Sequence, residues 1–126
     1  EVLDERKYRL NQLLAEGDSC NYLYDFGDGW QHRVTVEAIE DVKPSPSDEG
    51  FAWVESGERA CPPDDAGGSG GYQDFLDQLE NDPYGDETKS FQEWAGLDFD
   101  PARFDRQAVN ATIARMLWNR WIRIGP

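Results

Sequence analysis

Five side chains in two short stretches carry the chemistry this sequence can offer: Asp25, Asp28 and His32 in the first, Asp64 and Asp65 in the second. Converging carboxylates with one imidazole are a donor set for Mg²⁺, Mn²⁺ or Ca²⁺, and the activity they imply is that of a metal-dependent enzyme. The same residues have a plainer use. Asp25 and Asp28 are turn formers, His32 can pair with Asp25 across a hairpin, and Asp64-Asp65 suits a loop capped by its own backbone. The plainer use is the expectation here, so no cofactor is expected and a divalent metal is the alternative.

Other chemistry fits less well. Gly67-Gly68-Ser69-Gly70-Gly71 precedes a helical pattern, and free N–H groups at a helix start attract anions. No Lys followed by Ser or Thr comes after these glycines as a P-loop requires, and Asp64-Asp65 would repel a phosphate. Asp25-Phe26-Gly27 is not a kinase signature, because the glycine loop, strand Lys and catalytic-loop Asp that accompany it are missing. Cys61, beside Pro62-Pro63, is a nucleophile only if His32 reaches it, and a structural Cys is expected. With Cys20 as the other cysteine and no CxxC pair, neither a disulfide framework nor a zinc knuckle is indicated.

The elements that must position these residues follow from periodicity. Leu10, Leu13 and Leu14, followed by Gly17, predict a short helix from Leu10 to Glu16. Cys20 to Phe26 and Trp30 to Ile39 read as strands, and Asp28-Gly29 is a strong signal for a two-residue hairpin turn. That turn places Asp25 opposite His32, Leu23 opposite Val34 and Tyr24 opposite Arg33. Asp41 to Gly50 reads as a surface loop, Phe51 to Glu55 as a third strand, and Ser56 to Gly71 as a long loop.

A helix is expected directly after that loop, because Tyr72, Phe75, Leu76 and Leu79 share one face. Asn81-Asp82-Pro83 ends it, and Glu87 to Ala95 forms a further helix stopped by Gly96. Asp105 caps the last helix, whose inward face is Val109, Ile113, Met116 and Leu117. Strands early and helices late define an α+β fold, an antiparallel sheet built on the early hairpin and packed by several C-terminal helices. The 126 residues read as a single domain.

Charge limits the partners. Twelve Lys and Arg against 26 Asp and Glu give a net charge of −14, which repels polyanions and anionic membranes. From Arg103 onward there are five Arg and one Asp, so seven basic and 25 acidic residues lie before it. Within this basic tail, Trp118, Arg120, Trp121 and Arg123 point around the helix axis. They either strap back onto the acidic body or form a contact surface through which the chain pairs with a neighbour or a second copy. The sequence contains no apolar run of the roughly 20 residues needed to span a bilayer and no leader, so a cytoplasmic location is expected. It begins at Glu1, without Met, and this suggests a trimmed piece of a longer chain.

Tyr22-Leu23-Tyr24-Asp25-Phe26-Gly27-Asp28-Gly29-Trp30-Gln31-His32, Ala60-Cys61-Pro62-Pro63-Asp64-Asp65, Gly67-Gly68 with Gly71-Tyr72, Trp94-Ala95-Gly96, and Phe99-Asp100-Pro101 with Phe104-Asp105 together resemble the plasmid pRiA4b ORF-three-like family. The resemblance covers roughly residues 10 to 110. It implies that members carry a further N-terminal region without a counterpart here, with the chain matching their C-terminal portion. It also implies a His after the Asp-Pro that corresponds to Asp82-Pro83, where Tyr84-Gly85 stands instead. The family brings no established activity. The function expected is therefore a non-catalytic interaction or accessory module of mobile-element or plasmid origin, with a protein partner and no direct binding to nucleic acid or membrane. A metal-dependent enzyme built on the Asp/His cluster and an acidic mimic of nucleic acid are the alternatives.

Overall fold

The structure is a computed structural model and describes residues 1–41 and 51–119. Among these, one antiparallel hairpin, four α-helices and a short 3-10 helix at Glu5–Lys7 form the regular elements. Helix α1 covers only Leu10–Leu13. It stops short of Glu16 because the Asp18 carboxylate accepts the Ala15 N–H at 2.9 Å and turns the chain toward the first strand.

Strand β1, Ser19–Tyr24, pairs with β2, Trp30–Thr35, as an isolated two-stranded sheet. The register differs from the one the turn signal predicts: Tyr22, not Asp25, faces His32, Leu23 faces Gln31, Tyr24 faces Trp30 and Cys20 faces Val34. Asp25 is the cause. It adopts a left-handed conformation at φ 55°, and its Oδ1 accepts the Gly27 and Asp28 N–H groups at 3.0 and 3.3 Å. Its carbonyl accepts the Gly29 N–H at 2.6 Å, so the loop runs over five residues, Asp25 to Gly29. Side-chain to backbone bonds of this kind compete with the strand ladder and end β1 at Tyr24, two residues before the expected Phe26. Because strand side chains alternate, Cys20, Tyr22, Tyr24, Trp30, His32 and Val34 share one face.

Helix α2 spans Gly68–Asn81 and starts inside the glycine run rather than after it. Gly67, at φ 85°, turns the chain into the helix. Helix α3, Asp86–Ala95, ends at Gly96, whose φ of 108° favours glycine. The two helices pack through Phe75 and Phe91, stacked with centroids 3.7 Å apart, and Phe99 and Tyr72 surround Phe75. Phe75 is 4% exposed, and Thr88, 1% exposed, donates its hydroxyl to the Asp82 carbonyl at 2.9 Å. Trp30 meets Tyr72 edge-on at 6.4 Å and joins the turn end of the hairpin to this cluster.

Helix α4, Arg106–Trp118, has the expected cap: Asp105 Oδ1 accepts the Ala108 N–H at 3.0 Å. Val109, Ile113, Met116 and Leu117 form its half-buried side. Phe51 to Glu55 is not a strand. Its backbone is held instead by the Asn110 amide, which accepts the Val54 N–H at 2.6 Å and donates to the Val54 carbonyl at 2.9 Å. A side-chain amide carries the same donor–acceptor pair as a backbone peptide, so α4 supplies what a third strand would. The loop expected over Asp41 to Gly50 lies outside the described residues apart from its first position.

Phe75 is the one buried large apolar side chain among the described residues.

Candidate functional site

The hairpin loop and the Asp64–Gly68 loop meet at the N-terminus of α2. Gly68 lies so close to the Asp28 carbonyl that a Cβ there would collide with it, and Gly68 also needs φ 69°. The contact brings one carboxylate oxygen each of Asp25, Asp28 and Asp65 within 4.8 Å of one another. Asp65, like Asp25, is left-handed, at φ 59°, a conformation that Asp tolerates better than most residues. Asp25 and Asp28 are half-buried and Asp65 is exposed. Asp28 Oδ2 is buried and has no hydrogen-bond partner.

The other two members of the predicted cluster lie elsewhere. Asp64 turns toward β1 and accepts a hydrogen bond from the Tyr24 hydroxyl at 3.3 Å. The negative charge of Asp64, and then that hydrogen bond, push the Tyr24 phenol above its ordinary range. His32 stands on the sheet face between Tyr22 and Tyr24, with ring centroids 6.1 and 6.4 Å away, and takes no part in the acid cluster. The expected Asp25–His32 pair is thus replaced by an imidazole between two tyrosines, a consequence of the shifted register. Cys61 is an exposed free thiol and Cys20 a half-buried one.

Sequence reasoning missed two participants. Tyr24 locks Asp64 away from the cluster, and Gly68 seats one loop on the other. The signal for the second was present in the adjacency of Gly67-Gly68 to Asp64-Asp65, because paired glycines beside a chemically loaded loop mark a close backbone approach. At the chain's other end Trp118 is 87% exposed at the tip of α4, while Arg120, Trp121 and Arg123 lie outside the described residues.

A short antiparallel hairpin whose loop is clamped onto a glycine-initiated helix, with three acids at the junction, defines an α+β fold. A profile of the plasmid pRiA4b ORF-3-like proteins matches residues 1–108, and the chain belongs to that family. It is 38% identical over 114 residues to the uncharacterized protein y4hQ of Sinorhizobium fredii, an alignment covering 88% of this chain and 56% of that protein. A crystal structure of a protein of unknown function from Methanosarcina mazei Go1 superposes with a TM-score of 0.70 at 35% identity, over 85% of this chain and 58% of that one. The chain therefore spans little more than half the length of these relatives. Neither description assigns an activity.

Proposed function

We propose that this chain acts as a non-catalytic protein-binding module whose hairpin face is covered by another polypeptide. The observation that carries this is a set of exposed apolar side chains: Tyr22 and Tyr24 on one face of the hairpin, and Phe51 stacked on Trp53 at 5.0 Å beside α4. Exposed aromatic and aliphatic side chains in contiguous sets mark contact surfaces. The net charge of −14 points to a polypeptide partner rather than a nucleic acid or an anionic membrane. No helix among the described residues is long and apolar enough to cross a membrane.

Amide exchange on the full chain, combined with light scattering, tests this. A monomer should show β1 and β2 amides exchanging far faster than those of α2, with an environment-sensitive apolar dye binding the same molecule. A second copy acting as the cover would instead appear as a concentration-dependent dimer that protects the hairpin. A monomer with hairpin amides as protected as α2, and no dye bound, would show a surface already finished and overturn the proposal.

A further inference from the structure

We infer that the groove between α2 and the turn end of the hairpin is a docking site for a short polypeptide segment in which an apolar side chain stands between a basic and an acidic one. The groove has a volume of about 600 Å³, within the usual span of ligand pockets. Its apolar lining is Trp30, Tyr72 and Leu76, all half-buried, with the Trp30 and Tyr72 rings edge-on at 6.4 Å. Arg59, Asp77 and Glu80 line it as well.

Charge complementarity names the occupant. Arg59, Asp77 and Glu80 are exposed, and none of them forms a salt bridge among the described residues. Gln73 donates to Asp77 Oδ1 at 3.0 Å and holds that carboxylate in place on α2. One groove thus offers one unpaired cation and two unpaired anions around an aromatic floor. A nucleotide or other polyanion is repelled by the two acids, and a sugar leaves all three charges unmatched. A peptide segment supplies both signs, and its apolar side chain covers the rings.

A second, independent observation singles out Arg59, whose backbone is left-handed at φ 66°. The other non-glycine residues in that conformation among the described residues are Asp25 and Asp65, of a type that tolerates it better than Arg does. Strain of this kind persists where the surroundings hold the chain, and it recurs at ligand clamps. Here the Ala60 N–H donates to the Pro101 carbonyl at 3.1 Å, and the Phe104 ring lies so close to Gly57 that a Cβ there would collide with it. Burial pushes the Tyr72 phenol up and the positive charge of Arg59 opposes that push, which sets the guanidinium near the aromatic floor. The site does not rest on a partner covering the hairpin face, since none of its three charged residues belongs to the sheet.

Fluorescence anisotropy of labelled, end-blocked peptides with the full chain is the test. Two leucines between a Lys and a Glu, in either order within about six residues, extend to about 20 Å and span the roughly 12 Å from Tyr72 to Glu80 along α2. One of the two orders should bind saturably. Arg59→Gln should weaken that binding about three- to fivefold, the upper range for an exposed ion pair, and should not affect the same peptide with Gln in place of its Glu. Glu80→Gln should act in the same way on the Lys end. Asp74→Asn, an acid of α2 outside the groove, and Tyr22→Ala, on the hairpin face, should change nothing, so the groove and the hairpin face fail separately. Arg59→Gly, free of the backbone strain, should raise the thermal midpoint while weakening the peptide. No saturable binding in either order, an equal loss on charged and neutral peptides, a loss in either control variant, or a lower midpoint in Arg59→Gly would each overturn the site.

Discussion

The helical half and the hairpin are held by different means. Between α2 and α3, Phe75 stacks on Phe91 and touches Tyr72 and Phe99, so one side chain organises a local core. The hairpin has no such centre: Trp30 reaches Tyr72, Asp28 meets Gly68, and Tyr22, Leu23 and Tyr24 remain exposed. The helices are therefore stabilised by burial, and the hairpin by a few point attachments at its turn. Isolated two-stranded hairpins are marginal in water, so those attachments decide whether the acid cluster exists at all.

Removing the helical centre should have the largest effect. Phe75→Ala is expected to cost about 3–5 kcal/mol, the range for a buried aromatic truncated to alanine. For a domain with so little else buried, this should abolish the cooperative thermal transition followed by circular dichroism. If Phe75→Ala melts cooperatively with only a small shift, the core is not centred where Phe75 lies.

Gly68→Ala tests the attachment of the other half. It forces a Cβ against the Asp28 carbonyl at a φ that alanine adopts with difficulty, and should cost roughly 2–3 kcal/mol. The contrast with Phe75→Ala lies in where the damage falls. Helical signal should survive while Trp30–Tyr72 contacts vanish from nuclear Overhauser spectra.

Asn110→Ala strips Val54 of both its partners and should cost about 1–2 kcal/mol, as two hydrogen bonds to a partly buried backbone. Amide exchange at Val54 should accelerate strongly while α2 stays protected. Equal acceleration in both places would merge the two regions into one cooperative unit.

The smallest effect concerns pH. Tyr24 is held protonated to higher pH in the folded chain than in the unfolded one, chiefly by the Asp64 charge. Its contribution is fully present below the unfolded value of about 10 and is lost as pH rises through the higher folded one. Asp64→Asn should bring the Tyr24 phenolate titration, followed by ultraviolet absorbance, back to lower pH. A titration unchanged by that substitution would remove Asp64 from the hairpin's attachments.

The sequence was most legible where burial has a period. Tyr72, Phe75 and Leu76 mark the face of α2, Gly96 ends α3, and Asp105 caps α4, each as expected from local rules. The register of the hairpin was not legible, because Asp25 falls in step with the alternation of the strand before it yet uses its carboxylate to build a wider loop. That single choice carried His32 away from the acids and placed it between tyrosines. The candidate site was legible in part. Asp25, Asp28 and Asp65 were named from turn and loop motifs, but their convergence depends on a glycine–carbonyl contact between residues 40 positions apart, which no local pattern encodes. The third strand was misread for a similar reason: Phe51 to Glu55 has strand composition, and its partner is the side chain of a helix.

The clasp between Val54 and Asn110 also sets an order of events. It joins residues 56 positions apart, whereas Phe75 and Phe91 are separated by little more than one helix and a turn. Contacts distant in sequence carry the larger closure entropy and form after local ones. The α2–α3 pair should therefore assemble first and the clasp shut late, so weakening it quickens unfolding and leaves the rate of folding nearly unchanged.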